Sequence, residues 1–286
     1  MELLFDLLRS VVYGVIEGIT EWLPISSTGH MILAEQVLKF SFSDEFMSMF
    51  RVVIQLGAIM AVVVLYFKKL WPFCGDNGRD SGFSRHIRWP VVRLWCKIIV
   101  SCLPAAVLGL LLDDWLDAHL YNSVVVALML IVYGVAFILI ERRPRVPTTT
   151  KLSHITYKQA VLVGAWQVLA MIPGTSRSGA TIVGGLLCGM SRPAASQFTF
   201  FLAIPVMAGA SGLKLVKYVA GGSTFTAAEI AALAVGCLVA FLVSMAAIRF
   251  LMNYVKKHTF TVFGWYRIAL GVVVLGIWAI QSFVLA

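Results

Sequence analysis

The sequence predicts an all-α polytopic membrane protein: six spanning helices plus two re-entrant broken-helix hairpins in an inverted-topology repeat. Three observations carry this prediction. Of 286 residues, 60% are hydrophobic and 13% charged, with a mean hydropathy of +0.89, whereas water-soluble domains carry roughly 25% charged residues. Such a chain lacks the polar atoms to clothe a water-facing surface and is too apolar for disorder. Six uncharged runs approach the ~20 residues a helix needs to cross hydrocarbon, and two longer apolar stretches are each interrupted near the middle by Pro, Gly and hydroxyl residues.

Along the chain, the first interrupted stretch covers about 7 to 38 and breaks at Leu-Pro-Ile-Ser-Ser-Thr-Gly-His, 23 to 30. Uncharged runs follow at 52 to 67, 98 to 112 and 118 to 140. The first two are short, but each lengthens past Arg51, Lys68, Lys97 or Arg93, whose long side chains reach the interface. The second interrupted stretch covers about 159 to 191, breaks at Ile-Pro-Gly-Thr-Ser-Arg-Ser-Gly-Ala-Thr, 172 to 181, and precedes runs at 193 to 213, 230 to 248 and 268 to 286. Pro removes a backbone donor and Gly loosens the helix, so both stretches read as helix, break, helix.

Charge in the connections orients the spans. Basic residues gather in 68 to 93 (Lys68, Lys69, Arg79, Arg85, Arg88, Arg93), 141 to 158 (Arg142, Arg143, Arg145, Lys151, Lys158) and 249 to 258 (Arg249, Lys256, Lys257). The alternate connections hold Lys39 with Asp44 and Glu45, then Asp113, Asp114 and Asp117, then no charge at 218 to 228. The basic set is therefore cytoplasmic, and the net charge of +9 reflects these loops, with no nucleic acid as partner. The alternation holds if both hairpins double back, the first from the outer side and the second from the cytoplasm. No segment reads as a removable leader. The cysteines Cys74, Cys96, Cys102, Cys188 and Cys237 are odd in number and scattered, so they read as reduced packing residues rather than a disulfide scaffold.

At an offset of 150, Gly14 falls on Gly164, Glu17 on Gln167, Ser26 on Ser176, Thr28 on Ser178 and Gly29 on Gly179. Each hairpin is followed by three spans, so the single membrane domain reads as two halves, 1–140 with the Glu/Ser/His hairpin and 155–286 with the Pro-Gly-x-Ser-Arg hairpin, of opposite orientation.

Non-helical backbone is not tolerated against lipid, so the two breaks must be packed on protein or line a wet cavity. Between Ser10 and Ala34 the only formal charges are Glu17 and Glu21, and between Gln159 and Ser191 the only one is Arg177. Intramembrane charges cost roughly 2.5 to 3.5 kcal/mol each on insertion scales and need partners. Glu17 and Glu21 are one helical turn apart; two such carboxylates require a shared proton, a cation side chain or a metal ion, and magnesium suits one or two carboxylates with phosphate and water. Arg177 pairing with either glutamate is the structural alternative. The loop Ser26 to His30 offers hydroxyls, Ser27 and Thr28 among them, and an imidazole able to act as acid or base; helix capping is the plainer use of those hydroxyls. Around Gly174, Ser176 and Ser178 the second loop opens a helix with free N–H groups, an anion site to which Arg177 adds a bidentate donor. It lacks the Gly-Lys-Ser/Thr of a nucleotide-binding loop, so ATP is not expected.

The segment Gly14-Val-Ile-Glu17-Gly-Ile-Thr-Glu21-Trp-Leu-Pro24-Ile-Ser-Ser27-Thr-Gly-His30, with Pro173-Gly174-Thr-Ser176-Arg177-Ser-Gly-Ala-Thr181 and Val53-Ile-Gln55-Leu-Gly57, closely resembles the bacterial undecaprenyl-diphosphatase family, also called the bacitracin resistance protein family. The resemblance covers nearly the whole chain. It implies release of inorganic phosphate from undecaprenyl diphosphate in the bacterial inner membrane, with Glu17 and Glu21 as the glutamate motif, Ser27 and His30 as catalytic serine and histidine, Ser176 and Arg177 as phosphate-binding loop, and dependence on a divalent cation, Mg2+ or Ca2+. Ser27 would attack phosphorus with His30 assisting, or His30 would direct water or attack itself. The pocket is expected to open to the outer face, and oligomeric state is left open, a dimer included. The rival reading is a lipid carrier flippase or secondary transporter on the same repeat; the third is a structural subunit whose charges merely pair. Arg267 stands outside the expected site, with snorkelling to the cytoplasmic face and reach into the cavity both open.

Overall fold

The computed structural model describes residues 2–74, 86–120, 122–143 and 146–283. These form twelve α-helices and, among the described residues, no strand beyond two isolated bridges. Helices α1 (Glu2–Thr20) and α2 (Ser27–Val37) make the first broken stretch; α3 (Asp44–Val53), α4 (Gln55–Leu65), α5 (Phe67–Leu70), α6 (Trp89–Leu120) and α7 (Ser123–Arg142) follow. The second broken stretch is α8 (Tyr157–Val168) and α9 (Arg177–Leu187), succeeded by α10 (Arg192–Ala220), α11 (Ala227–Tyr254) and α12 (Thr261–Phe283).

Six helical stretches are long and apolar enough to cross a membrane: Asp44–Leu65, Trp89–Gly109, Ser123–Arg142, Arg192–Ala220, Ala227–Tyr254 and Thr261–Ser282. The protein is a multi-pass membrane protein. The spans match the six runs but shift at their ends. The first begins at Asp44 rather than 52, because Ser43 caps α3 by accepting from the Phe46 N–H at 3.2 Å and two acidic residues occupy its first turn. Residues 113 to 120, expected as a connection, continue α6, and the next helix starts only at Ser123, where Asn122 accepts from the Val125 N–H at 2.9 Å. Arg79, Arg85 and Arg145 lie outside the described residues, as do the side chains of Asp113, Asp114 and Asp117. No disulfide forms among the described residues, and Cys96 is exposed rather than packed.

The basic connections converge on one end of the bundle: Lys69 and Arg88, Lys151, and Lys256 line one cavity. Lys39, Asn122 and Gln281 line a different one. The ends of each broken stretch also lie together. Asp6 Oδ1 accepts from the Ser41 N–H at 3.3 Å, and the Cys188 carbonyl accepts from Gln159 Nε2 at 2.9 Å.

Helices approach closely through small residues. Helix α1 lies along α11, where a Cβ on Gly14 would fall 2.7 Å from the Gly236 carbonyl oxygen and one on Gly18 would fall 2.9 Å from that of Ala240. Gly134 and Gly264 bring α7 and α12 together in the same way, and Gly164 seats α8 against the Ser101 backbone of α6. Such contacts let backbones meet where lipid offers no hydrophobic drive to associate. Gly57→Ala should drive its Cβ into the Cys237 carbonyl and cost about 1–3 kcal/mol, read as a lower thermal unfolding midpoint in detergent; an unchanged midpoint would contradict the contact.

Candidate active site

Both breaks turn on a serine at positive φ. Ser26 has φ 72 and ψ 107, and Ser176 has φ 68 and ψ 126. These are costly conformations for a residue with a Cβ, on the order of 1–3 kcal/mol, and persist where the surroundings fix them. Ser176 Oγ accepts from the Gly179 N–H at 3.2 Å, capping α9. Ser26 Oγ is buried with no partner, so the capping expected of that hydroxyl does not occur.

The tips of the two broken stretches meet through charge. Arg177, the first residue of α9, donates to Glu21 Oε1 through Nη2 at 3.1 Å and Nε at 3.3 Å. The other Glu21 oxygen accepts from Ser27 Oγ at 3.1 Å. The two ion-pair side chains are 10% and 8% exposed, so each charge depends on the other. Arg177 is fixed further by donating from Nη1 to the Thr199 carbonyl at 2.9 Å and by lying over the Trp22 ring at 5.9 Å. Trp22 is itself fully buried, edge-on to Phe200.

Glu17 sits one turn before Glu21, whose N–H donates to the Glu17 carbonyl at 3.0 Å. It is buried, and its Oε1 has no partner; at the matching position in the second stretch, Gln167 is buried with neither amide atom bonded. Orphaned buried polar atoms are uncommon in native proteins and mark places where water, ions or ligands supply the missing bonds. Thr175 Oγ1, in the second break, is a further one.

The remaining expected residues are placed as follows. His30 is half-buried, and its Nδ1 lies 2.7 Å from the Ser26 carbonyl. A carbonyl only accepts, so Nδ1 carries the hydrogen; in the neutral ring Nε2 then accepts from the Tyr266 hydroxyl at 2.7 Å. The two rings stack, 7° from parallel. His30 is thus bonded to Ser26 and Tyr266, and to neither Ser27 nor Glu21. Ser178 Oγ lies 3.1 Å from Ser176 Oγ. Thr28 is half-buried in the first turn of α2. Gly174 has φ +90 and abuts the Val126 backbone, a position closed to other residues by conformation and by space.

Arg267 is the residue that sequence reasoning left aside. It is fully buried and donates to both breaks: Nη1 to the Pro24 carbonyl at 3.2 Å, and Nη2 to those of Gly174 at 2.8 Å and Thr175 at 2.9 Å. It neither snorkels nor pairs with a carboxylate among the described residues. Its one sequence signal is a solitary cation inside an apolar span. Tyr266, next to it, carries no signal at all.

Comparison with known proteins adds the family. The model of the family described as "Bacitracin resistance protein BacA" matches residues 10–273. The chain belongs to this family. It is 57% identical over 275 residues to an undecaprenyl-diphosphatase of Enterococcus faecalis, covering 96% of this chain and 98% of that one. Similar relatives carrying the same name come from Streptococcus thermophilus, 55% identical with 95% and 93% covered, and Desulfitobacterium hafniense, 55% identical with 95% and 96% covered. Both breaks and Arg267 lie within the matched family region.

Among the described residues, no three His, Cys, Asp or Glu side chains gather as a ready metal centre. The donors present are the free Glu17 Oε1 and the Glu21 carboxylate, whose two oxygens are held by Arg177 and Ser27. That set fits a magnesium or calcium ion completed by phosphate oxygens and water, and does not fit one held by protein alone.

Proposed function

We propose that this chain is an integral membrane phosphatase that hydrolyses undecaprenyl diphosphate to undecaprenyl phosphate and inorganic phosphate. It would recycle the carrier lipid for cell-wall glycan synthesis in the bacterial cytoplasmic membrane and so confer bacitracin resistance. The observation that carries this reading is the Glu21 carboxylate, held by Arg177 on one oxygen and receiving the Ser27 hydroxyl on the other, in a chain so similar to undecaprenyl-diphosphatases.

The diphosphate occupies the space between the breaks and takes up the Arg177 guanidinium, with Ser176, Ser178, Thr28 and the loop around Gly174 about it. Ser27 Oγ attacks the terminal phosphorus while its proton passes to Glu21 Oε2, already within hydrogen-bond reach. The bond from phosphorus to the bridging oxygen breaks, and that oxygen leaves on the lipid monophosphate. Water then adds across the phosphoserine bond, its oxygen to phosphorus and a proton to Ser27, and Glu21 returns its proton to solvent. His30, whose Nδ1 and Nε2 are taken by the Ser26 carbonyl and the Tyr266 hydroxyl, meets the incoming water once that hydroxyl yields Nε2, and does not activate Ser27. A divalent cation held by Glu17 and Glu21 would supply neutralisation of the phosphate charge.

The architecture we propose is two inverted halves, 1–140 and 155–286, with both broken stretches doubling back from opposite faces and the pocket opening to the outer one. Its support is pairwise. Gly14 and Gly164 both seat a hairpin helix, on α11 and α6 respectively. Ser244 Oγ donates to the Gly18 carbonyl at 3.3 Å, and Ser101 Oγ to that of Ala160 at 2.7 Å. Ser26 and Ser176 share their unusual φ, and Glu17 and Gln167 share unpaired buried atoms.

The deciding experiment supplies the detergent-solubilised chain with a long-chain prenyl diphosphate and magnesium or calcium. Phosphate release is expected; its absence with both metals would leave transport as the reading. Ser27→Ala should lower turnover by at least about 100-fold, and near wild-type turnover would move the attack to water or His30.

A further inference from the structure

A cationic cavity lies away from the breaks. The cavity at the basic end of the bundle, about 590 Å³, is lined by five cationic side chains, Lys69, Arg88, Lys97, Lys151 and Lys256, and by no described carboxylate. They come from separate places: Lys69 from α5, Arg88 from the residue before α6, Lys97 from the third turn of α6, Lys151 from the connection before α8, and Lys256 from the turn after α11. Cations brought together from so many places repel one another unless an anion joins them. Lys97 makes the point most strongly. It is 8% exposed, and its contact is the Tyr157 ring at 5.9 Å, with no carboxylate pairing it among the described residues.

Backbone polarity points the same way. Pro193 and Ala194, in the first turn of α10, and Pro90 and Val91, in the first turn of α6, line the cavity too. The two helix ends add partial positive charge to that of the side chains, but no free N–H: Pro90 and Pro193 have none, Ala194 N–H donates to Ser191 Oγ and Val91 N–H to the Arg88 carbonyl. Exposed aromatics neighbour the lining residues: the Trp71 carbonyl accepts from Arg88 Nη1 at 3.3 Å, Trp89 stands between Arg88 and Pro90, and the Tyr157 ring faces Lys97, the three being 48%, 46% and 49% exposed. Such rings settle at the headgroup region, and the wall combines apolar Leu94, Leu152 and Met252 with polar Thr150, Ser153 and Gln197, the mixed lining that suits an amphiphile.

We propose that this cavity binds a phosphate-bearing anion, in first place the phosphate of an anionic lipid headgroup in the leaflet on the basic side. The site is separate from the Glu21–Arg177 pair, so it stands whether or not the hydrolytic reading does. Free inorganic phosphate shares the same chemistry and is the second source.

The test uses the full chain in micelles doped equally with phosphatidylglycerol and phosphatidylcholine, with retained lipid counted by native mass spectrometry, and radiolabelled inorganic phosphate in equilibrium dialysis. Lys97→Gln/Lys151→Gln/Lys256→Gln is compared with Arg142→Gln/Arg249→Gln/Lys257→Gln, which removes equal charge outside the cavity. Preferential phosphatidylglycerol retention, weakened on the order of 100-fold in the cavity variant and kept in the control, supports a headgroup site. The same pattern with inorganic phosphate alone assigns the site to the free anion. Equal binding of both ligands by the cavity variant and the wild type overturns the proposal. Should the triple variant not fold, the exposed single changes Lys151→Gln and Lys256→Gln give the same reading, each expected to weaken binding about 5-fold.

Discussion

Glu21→Gln should abolish nearly all turnover while leaving the fold in place. The change keeps the shape of the side chain and removes the charge that holds Arg177 at 3.1 Å and receives the Ser27 hydroxyl at 3.1 Å. Loss of a positioned general base costs about 100- to 10,000-fold in rate, so kcat should fall within that range. The buried guanidinium is left without its countercharge, which for a buried pair costs about 3–5 kcal/mol, offset in part because Nη1 keeps the Thr199 carbonyl. Arg177→Gln, by contrast, should raise KM as well as lower kcat, because it removes the donor that meets the phosphates. The double variant discriminates direct coupling from two separate injuries: contacting residues are coupled by about 0.5–3 kcal/mol, so its loss should fall well short of the sum. Additive losses, or a Glu21→Gln chain that still releases phosphate at a tenth of the normal rate or better, would remove Glu21 as the base.

Much of this arrangement is written in residue types. Six spans follow from runs without charge, and the breaks follow from Pro24, Pro173 and Gly174, because the loss of a backbone donor or of a Cβ has a local conformational consequence. That Glu21 finds Arg177 was legible as an alternative, since each is a lone charge in its own apolar stretch and burial demands a partner. The span ends were not legible. Asp44 and Glu45 look like a loop by charge but open a helix by capping, and 113 to 120 remains helical although acidic. Least legible were contacts made to backbone. A carbonyl carries no residue identity, so nothing in the sequence says that Arg267 would seek Pro24 and Gly174, or that His30 would spend Nδ1 on Ser26 and leave the hydroxyl of Ser27 to Glu21.

That backbone clasp sets the second large expectation. Arg267 is buried completely and joins the first break to the second through the carbonyls of Pro24, Gly174 and Thr175, with longer bonds to Met129 and Leu130 of α7 at 3.4 Å. Arg267→Leu removes every one of these donors at once. Each buried carbonyl left unpaired costs about 1–3 kcal/mol, so the loss should be at least about 3 kcal/mol, read as a marked fall in the thermal unfolding midpoint together with loss of phosphate release. Arg267→Lys separates charge from shape. An ammonium restores a positive charge but is a compact point of three donors, whereas the planar guanidinium reaches carbonyls on both sides of the gap. If Arg267 matters as a charge, the lysine chain should work. If it matters as a fork that sets the distance between Glu21 and Arg177, the lysine chain should recover part of its thermal stability yet stay slow, with kcat depressed more than KM is raised. Full recovery of both stability and kcat in Arg267→Lys would show that the two breaks hold their spacing without it.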